Sequence, residues 1–368
     1  MLSSVTRVTH PPAFSSSKHE SNVTIRAMDK SMDEYLDEVK NLFEAPLQPK
    51  KLHALSGSLQ EEFHDKLQSS TISMLPSYQH TLPTGHERGL YLAMDVGGSN
   101  FRLALVELTG KDSARDGMHV KCNRSFPIDR KVRSLEGRSF FDWMAARIQE
   151  MLAVDHQQSE NGCKPLPMGL AWSFPIEQTS DRGGSLLAMG KGFNATHGVE
   201  GLDICDLIMA PCIERGLNVE LQTIVNDSSA TLLSQAYRDP TTRVSLILGT
   251  GTNAAIYLPV SALGKAKYGQ RPQAWYDAAD RVLVNTELSM YGKDKLPVSR
   301  WDTHINDTHM MPDFQPLEYK VGGRYLGEIV RLILVEAIRE SGLFDGEMPL
   351  RFDEPYSLET GVIAAFER

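Results

Sequence analysis

A glycine turn between two apolar runs, within residues 90–108, constrains the fold of this chain more than any other feature. The first run predicts a buried strand, and the apolar residues from Leu103 onward predict a second one. The turn between them, residues 95–100, contains Gly97 and Gly98, so the whole stretch predicts a β-hairpin. Adjacent glycines permit positive φ and leave the backbone accessible, so the turn can direct several N–H groups at one anion.

A second unit of the same kind lies later in the chain. Residues 244–248 predict a strand, residues 249–253 form the turn Gly-Thr-Gly-Thr-Asn, and residues 254–258 predict a returning strand. Two such units indicate two related lobes, each with a turn of accessible backbone N–H groups. The phosphates of a nucleotide would fit between two turns of this kind.

A pair of polar residues follows another predicted strand. Residues 219–225 predict the strand, Asn226 and Asp227 follow it, and residues 232–237 predict a helix. A carboxylate at the carboxyl end of a strand stands where open α/β sheets place their chemistry. Asp227 is therefore a candidate catalytic residue, although the same position also suits a helix N-cap.

Composition and charge exclude several classes of function. The chain has 368 residues, of which 41% are hydrophobic, and this length suits about two globular domains. The formal net charge of -9 argues against nucleic acid as a main partner, because binding a phosphate backbone needs a basic face. None of the cysteines forms a C-x-x-C pair, and no apolar run is long enough to span a membrane. We therefore expect no zinc or redox motif, no membrane association and a cytoplasmic location.

The first 30 residues are polar and unpatterned, which predicts a disordered tail. Arg7 and Arg26, with few acidic residues around them, leave organelle targeting open. Two capping signals, starting at Ser31 and Ser58, then predict two amphipathic helices. The stripes expected to face the core are Leu36, Val39, Leu42 and Phe43 in the first helix, and Leu59, Phe63 and Leu67 in the second.

The same patterns predict further elements between the glycine turns and after the second one. They are strands at 121–126 and 167–172, and helices at 139–152, 202–215 and 324–340. Pro211 is expected to disturb the second of these helices, and Gly342 to end the third. Residues expected on one apolar side of the first helix are Phe141, Met144, Ala145, Ile148, Met151 and Leu152. Residues expected to face inward on the third helix are Tyr325, Leu326, Ile329, Val330 and Ile333.

A series of short motifs, from about Met74 to the end of the chain, resembles those of the hexokinase family of sugar kinases. In chain order the motifs are residues 95–102 as a first phosphate loop, Ser173-Phe174-Pro175 with Gln178 as a sugar loop, Lys191-Gly192-Phe193, Val225-Asn226-Asp227, residues 249–253 as a second phosphate loop, Asn285-Thr286-Glu287, and Glu318 ahead of Tyr325-Leu326-Gly327-Glu328. Each motif alone is weak, but their common order along the chain is specific to the family.

The resemblance implies an α/β, actin-like ATPase (ribonuclease H-like) fold with two lobes around a sugar cleft. It implies phosphorylation of a hexose at its 6-hydroxyl by ATP with Mg²⁺, and Asp227 as the general base. The sugar-binding residues implied are Ser173, Lys191, Asn226, Asn253, Glu287 and Glu318. The nucleotide-binding residues implied are Asp95, Gly97, Gly98, Ser99, Asn100, Gly249, Thr250, Gly251 and Thr252, with Asp95 also near the metal through water.

The resemblance also implies how the chain is organised. The expected parts are a disordered tail at 1–30, N-terminal helices at 31–85 that pack on the large lobe, a small lobe at 86–222 and a large lobe at 223–368. Family members usually continue past the position where this chain ends, with a Gly-rich adenosine-binding segment, so we expect the large lobe to be incomplete. A monomer or a homodimer is expected.

The sequence departs from the family in its expected sugar pocket. Gly190 stands where the family usually has Thr, and Leu288 and Ser289 stand where it usually has Trp and Gly. Smaller residues would admit a bulkier sugar such as N-acetylglucosamine, so the substrate is expected to be a hexose or an N-acetylhexosamine. A catalytically impaired, sugar-sensing regulatory protein is the alternative, and an actin-like filament protein is a more distant one.

Overall fold

The computed structural model of this chain describes residues 30–112, 117–154, 164–187, 189, 193–269 and 271–366. Its strands are β1 Leu75–Pro76, β2 Arg88–Val96, β3 Asn100–Thr109, β4 Met118–Pro127, β5 Leu166–Trp172, β6 Ile176–Gln178, β7 Gly184–Leu186, β8 Val219–Val225, β9 Val244–Leu248, β10 Thr252–Pro259 and β11 Arg281–Asn285. The predicted disordered tail lies outside the described residues, apart from Lys30.

Helices connect and cover these strands. They are α1 Met32–Glu44, α2 Pro49–Ser69, α3 Arg130–Arg133, α4 Arg138–Val154, α5 Ile204–Glu214, α6 Asp227–Arg238, α7 Gln273–Ala278, α8 Arg300–Thr308, α9 Pro316–Val321, α10 Gly323–Ser341 and α11 Thr360–Phe366. None of these described helices is both long enough and apolar enough to cross a membrane.

The first glycine turn lies in a five-stranded sheet with the order β4-β3-β2-β5-β8. Strands β2 and β3 form the predicted antiparallel hairpin, in which Asp95 lies opposite Arg102, while β5 runs parallel to β2 and β8 parallel to β5. Helix α4 covers the sheet with the apolar face that the sequence predicts. The buried residues of that face are Phe141, Met144, Ala145, Ile148, Met151 and Leu152.

The second glycine turn lies in a four-stranded antiparallel sheet with the order β1-β11-β10-β9. The predicted strands around the turn are confirmed as β9 and β10. Among the described strands β9 is at the edge of this sheet, and Val244, Leu246 and Leu248 on one of its faces are 62%, 59% and 65% exposed. The predicted lobe boundaries near residues 85 and 222 stay predictions.

Helix α1 begins as predicted but buries a different face. Ser31 and Glu34 form the capping box, and the buried Tyr35 hydroxyl donates to the carbonyl of Ile333 in α10 over 2.8 Å. The expected core stripe is wrong for Leu36, Leu42 and Phe43, which are exposed, and confirmed for Val39, which packs against the core. The residue that the prediction missed is Tyr35, whose ring fills the contact with α10 while its hydroxyl reaches a backbone acceptor.

Helix α2 begins nine residues before its predicted capping signal, at Pro49. Proline suits the first position of a helix because its missing N–H would be unsatisfied there anyway. Ser58 lies inside the helix, where its hydroxyl donates to the carbonyl of Leu55, so the capping prediction is wrong. The predicted stripe is confirmed, since Leu59, Phe63 and Leu67 all pack on the second sheet's core.

Two later helices also differ in detail from the sequence expectation. Helix α5 continues through Pro211, which is buried. Helix α10 ends as predicted at Gly342, which adopts the left-handed conformation typical of a helix C-terminus. Of its predicted inward face, Tyr325 and Ile329 are buried, but Leu326 is exposed, so that assignment is wrong.

Candidate functional site

Polar side chains from three predicted motifs meet where β8, β10 and β11 approach one another. The Asn253 amide Nδ2 lies 3.4 Å from Asn226 Oδ1 and 3.0 Å from Asn285 Oδ1, and donates to both. The Asn285 amide in turn donates to Glu287 Oε1 over 2.7 Å. The structure therefore joins residues that are far apart in the sequence into one hydrogen-bonded cluster.

Asp227 is the first residue of α6, separated from β8 only by Asn226 of this cluster, and is half-buried. The helix N-cap is Asn226, whose Oδ1 accepts from the Ser228 N–H over 2.9 Å and from the Ser228 hydroxyl over 2.7 Å. The N-cap position considered for Asp227 thus belongs to its neighbour. A carboxylate in the first turn of a helix is favoured by the helix dipole, which stabilises negative charge there.

The side-chain amide of Asn253 forms hydrogen bonds to other groups of the protein. Besides donating to Asn226 and Asn285, it accepts through Oδ1 from the N–H groups of Ala254, over 2.7 Å, and Leu288, over 3.2 Å. An amide has two donor hydrogens and one carbonyl oxygen with two lone pairs, so these contacts match its whole capacity. Asn253 is therefore held in one orientation.

Glu287 has an uncommon backbone conformation. Its φ and ψ are 52° and 51°, in the left-handed region that residues other than glycine rarely adopt. Its N–H donates to Asn285 Oδ1 over 3.3 Å, and its carboxylate accepts from the Asn285 amide. Such strain persists only where surrounding contacts enforce it, and it is frequent at binding sites.

Glu318, on the short helix α9, lies against the second glycine turn. Its Oε2 accepts from the Thr252 N–H over 2.9 Å. At the start of the same helix, Gln315 donates to the Ser289 hydroxyl over 3.2 Å, which connects α9 to the turn after Glu287. Burial raises the pKa of the neighbouring Tyr325, and the charge of Glu318 raises it further, so this tyrosine stays protonated.

In the first glycine turn, backbone carbonyls are bound by the segment that follows β4. The Gly97 N–H donates to the Asn100 carbonyl over 3.1 Å. The Gly98 carbonyl accepts from Arg133 Nη2 over 3.0 Å, and the Ser99 carbonyl from the Ile128 N–H over 2.9 Å.

The second glycine turn is held in a comparable way by the first residues of α10. The Gly249 carbonyl accepts from the Gly323 N–H over 2.7 Å, and the Thr250 carbonyl from the Arg324 N–H over 3.0 Å. The Gly249 N–H donates to the Gly251 carbonyl across the turn over 2.9 Å. Neither glycine has a positive φ, so bare backbone rather than left-handed geometry distinguishes this turn.

Asp95, at the end of β2, forms an ion pair with Arg102 on the opposite strand, with 2.7 Å between Oδ2 and Nη1. Among the described residues, no group of three or more metal-ligating side chains is present. Mg²⁺ commonly binds one or two carboxylates together with substrate phosphates. The single carboxylate of Asp95 fits a cation that arrives with a nucleotide.

The remaining predicted sugar-binding residues are only partly described. Ser173 directly follows β5, is half-buried, and donates its N–H to the Val96 carbonyl over 3.2 Å, which places it beside the first glycine turn. Gln178 donates to the Ile224 carbonyl over 3.0 Å, near the end of β8. Lys191 and Gly190 lie outside the described residues.

Two residues of the site were given no role from the sequence, although Asn285 lies in the predicted motif Asn285-Thr286-Glu287. Asn285 binds both Asn253 and Glu287, and an asparagine at the end of a strand, as at Asn226, is the signal that could have identified it. Arg133 contacts the first glycine turn, but nothing in the basic run 130–133 distinguishes it from its neighbours.

Comparison with known proteins places this geometry in context. Two family profiles, both described as hexokinase, match residues 35–237 and 243–368. Chloroplastic hexokinase-4 of Oryza sativa subsp. japonica is 32% identical over 299 residues, which are 81% of this chain and 56% of that protein. Hexokinase-1 of Spinacia oleracea is 32% identical over 323 residues, which are 86% of this chain and 62% of that protein. The chain thus spans less than two thirds of the length of these curated relatives.

Solved structures also resemble this chain. A hexokinase from Schistosoma mansoni complexed with glucose is 30% identical, with a TM-score of 0.74, and the match covers 92% of this chain and 74% of that chain. A second structure described as hexokinase is 26% identical, with a TM-score of 0.69, and the match covers 89% of this chain and 71% of that chain.

Proposed function

Because this chain belongs to the hexokinase family and has its actin-like α/β fold, we propose that it transfers a phosphoryl group from MgATP to the 6-hydroxyl of a hexose. Two lobes around a sugar cleft, with one glycine turn in each, would bring nucleotide and sugar together. The observation that carries the proposal is the position of Asp227, half-buried at the start of α6 and beside the cluster formed by Asn226, Asn253, Asn285 and Glu287.

Asp227 is the proposed general base. Its carboxylate would accept the proton of the sugar 6-hydroxyl while that oxygen attacks the terminal phosphorus of ATP, and ADP would leave. A positioned base contributes about 10²–10⁴-fold to the rate of such a reaction. Orientation and charge stabilisation would supply most of the remainder.

The sugar would be held by amides, carboxylates, a hydroxyl and a lysine, because a hexose presents almost only hydroxyl groups. The proposed ligands are Ser173, Lys191, Asn226, Asn253, Glu287 and Glu318. The amide contacts of Asn253 suggest that it also orients its neighbours, since binding a sugar hydroxyl would require exchange of one existing hydrogen bond. The left-handed backbone of Glu287 supports its proposed role, because strain of this kind is frequent at binding sites.

The nucleotide phosphates would lie between the two glycine turns. Backbone N–H groups of both turns are the proposed ligands, with Asp95 near the Mg²⁺ that ATP brings. The ion would neutralise charge on the phosphates. Because Arg102 already pairs with Asp95, the carboxylate has one oxygen left over for a metal-bound water.

The identity of the sugar is a narrower proposal. Gly190 and the pair Leu288-Ser289 depart from the family, and this favours testing N-acetylglucosamine beside glucose. Ser289 is buried and bonded by Gln315, so its contribution would be to shape the wall behind Glu287. A kcat/KM for glucose equal to or above that for N-acetylglucosamine would exclude the larger sugar as the preferred substrate.

The test is a coupled assay of ADP formation with glucose, fructose, mannose and N-acetylglucosamine. We expect Asp227→Asn to lower kcat by about 10²–10⁴-fold while sugar affinity changes little, because the variant removes the base but keeps the shape. Asp206→Asn is the matched control, since Asp206 is also an aspartate in the first turn of a helix but is exposed on α5. Full turnover in Asp227→Asn would refute the assigned base.

A second function, sugar sensing without turnover, is favoured by one contact. The Glu318 carboxylate occupies the Thr252 N–H of the second glycine turn, and a negative charge there would repel a phosphate. Calorimetry separates the two functions: the sensor would bind sugar and fail to bind MgATP, whereas the kinase would bind both.

A further inference from the structure

Arg133 contacts the first glycine turn and also adjoins the predicted sugar-binding segment. Its Nη2 donates to the Gly98 carbonyl over 3.0 Å. Its own carbonyl accepts from the Asn194 N–H over 2.9 Å, and its guanidinium lies 5.9 Å from the centre of the Phe193 ring. One residue therefore connects the turn proposed to hold phosphate with the segment proposed to hold sugar.

The hydrogen bond to Gly98 determines which way one peptide group faces. In a planar trans peptide the carbonyl and the N–H point in opposite directions. Because Arg133 holds the Gly98 carbonyl on its own side, the N–H of the same peptide, which belongs to Ser99, points to the other side of the turn. The Ser99 carbonyl is held on the Ile128 N–H in the same way, so the turn has little freedom to rotate.

The chemistry of Arg133 suits this role. Its guanidinium is always charged, and a hydrogen bond from a charged donor is stronger than a neutral one. Its Nε is buried and has no hydrogen-bond partner among the described residues, where the guanidinium is held by the bond from Nη2 and by the Phe193 ring. A cavity of about 360 Å³, lined by Arg133 together with Arg130 and Asn194, lies beside it.

We propose that Arg133 is a positioning residue that orients the Ser99 N–H toward the nucleotide phosphates. This inference rests on the proposed function, because it assumes that the first glycine turn binds MgATP. It assigns Arg133 no contact with the reacting atoms. Its effect is on nucleotide affinity, whereas the contact with the Asn194 N–H uses the Arg133 backbone carbonyl, which a side-chain substitution leaves in place.

The test is calorimetric titration of MgATP into the full chain with glucose or N-acetylglucosamine present, followed by titration of each sugar alone. Arg133→Met is expected to raise the Kd for MgATP about tenfold, the effect of losing one charged hydrogen bond, with sugar Kd unchanged. Arg133→Lys is expected to recover part of the loss. Arg130→Met is the matched control, because Arg130 lines the same cavity but is exposed, and it should leave the Kd for MgATP unchanged.

Chemical rescue is the second measurement, for the case in which Arg133→Met folds poorly. Methylguanidine added to Arg133→Ala is expected to restore MgATP binding, because the neighbouring cavity admits a small guanidinium. This inference alone would be overturned if the wild-type chain binds MgATP and Arg133→Met binds it equally well. It would also be overturned if Arg133→Met loses affinity for sugar as much as affinity for MgATP. A wild-type chain that binds sugar but no MgATP would overturn the kinase proposal together with it.

Discussion

Strands β2 and β9 each lead into a glycine turn, yet they occupy different places in their sheets. Strand β2 is central, between β3 and β5, and Leu92, Met94 and Val96 are at most 2% exposed. Strand β9 has β10 on one side only, in the part of the chain that the structure describes, and its outward residues are more than half exposed. The local hairpin is the same, but its surroundings are not.

The two turns also differ in what holds their carbonyls. In the first turn, one donor is the side chain of Arg133 and the other is the backbone N–H of Ile128. In the second, both are backbone N–H groups of Gly323 and Arg324 at the start of α10, which have no partner within a helix. A side chain can be substituted with little change to the backbone, so the first turn is adjustable, whereas the second depends on the exact placement of a helix.

The largest difference is expected from one substitution made in both strands. Leu92→Ala removes a fully buried side chain from β2 and is expected to lower the free energy of unfolding by about 2–5 kcal/mol. Leu246→Ala, at an exposed site on β9, is expected to change it by less than about 0.5 kcal/mol. Urea unfolding followed by fluorescence measures both. A large loss in Leu246→Ala would mean that β9 is covered in solution.

A smaller difference is expected when a methyl group is added where α10 holds the second turn and, for comparison, within the first turn. In Gly323→Ala the new Cβ would lie 2.8 Å from the Gly249 carbonyl oxygen, so the backbone contact must open, at about 1–3 kcal/mol. In Gly97→Ala the nearest atom outside the chain neighbours, the Asn100 carbonyl oxygen, is 3.7 Å away, an ordinary contact. Thermal melting of the two variants checks this. Equal destabilisation by both would contradict the different anchoring of the turns.

The smallest effect is expected at the edges of the sheets. Strand β4, at the edge of the first sheet, carries Lys121 and Arg124, and charges of this kind discourage pairing with another chain. Strand β9 has no charged residue. Leu246→Lys is therefore expected to reduce self-association in light scattering at raised concentration, while Val120→Lys on β4 changes little. Equal association in both variants would show that the edge of β9 does not drive contact between copies.

Much of the fold could be predicted because the periodic patterns are local. Helix α4 matches its predicted apolar face, and both glycine hairpins are present. The face that α1 buries could not be predicted, because the hydroxyl of Tyr35 finds its acceptor only once α10 is beside it. Helix α8 carries a capping box at Ser299 and Asp302 that the sequence does show, but its apolar pattern is short.

In the candidate site, too, some features could be predicted from the sequence and others could not. The order of the motifs identified Asn226, Asn253 and Glu287 from the sequence, and the structure joins these residues through Asn285 in one hydrogen-bonded cluster, with Asp227 next to Asn226 in the chain. The contact between Glu318 and the Thr252 N–H could not be predicted, because it joins positions 66 residues apart. Roles that depend on such contacts, as for Arg133, need the folded chain.

The docking of α1 on α10 has a consequence for how the protein is made. The bond between Tyr35 and Ile333 joins positions 298 residues apart, so the first described helix pairs with nearly the last. At about 5–20 residues per second, a ribosome needs roughly 15–60 s to synthesise the intervening chain. During that interval the apolar face of α1 around Tyr35 and Val39 is synthesised without its partner, so this surface is open to a chaperone until α10 emerges.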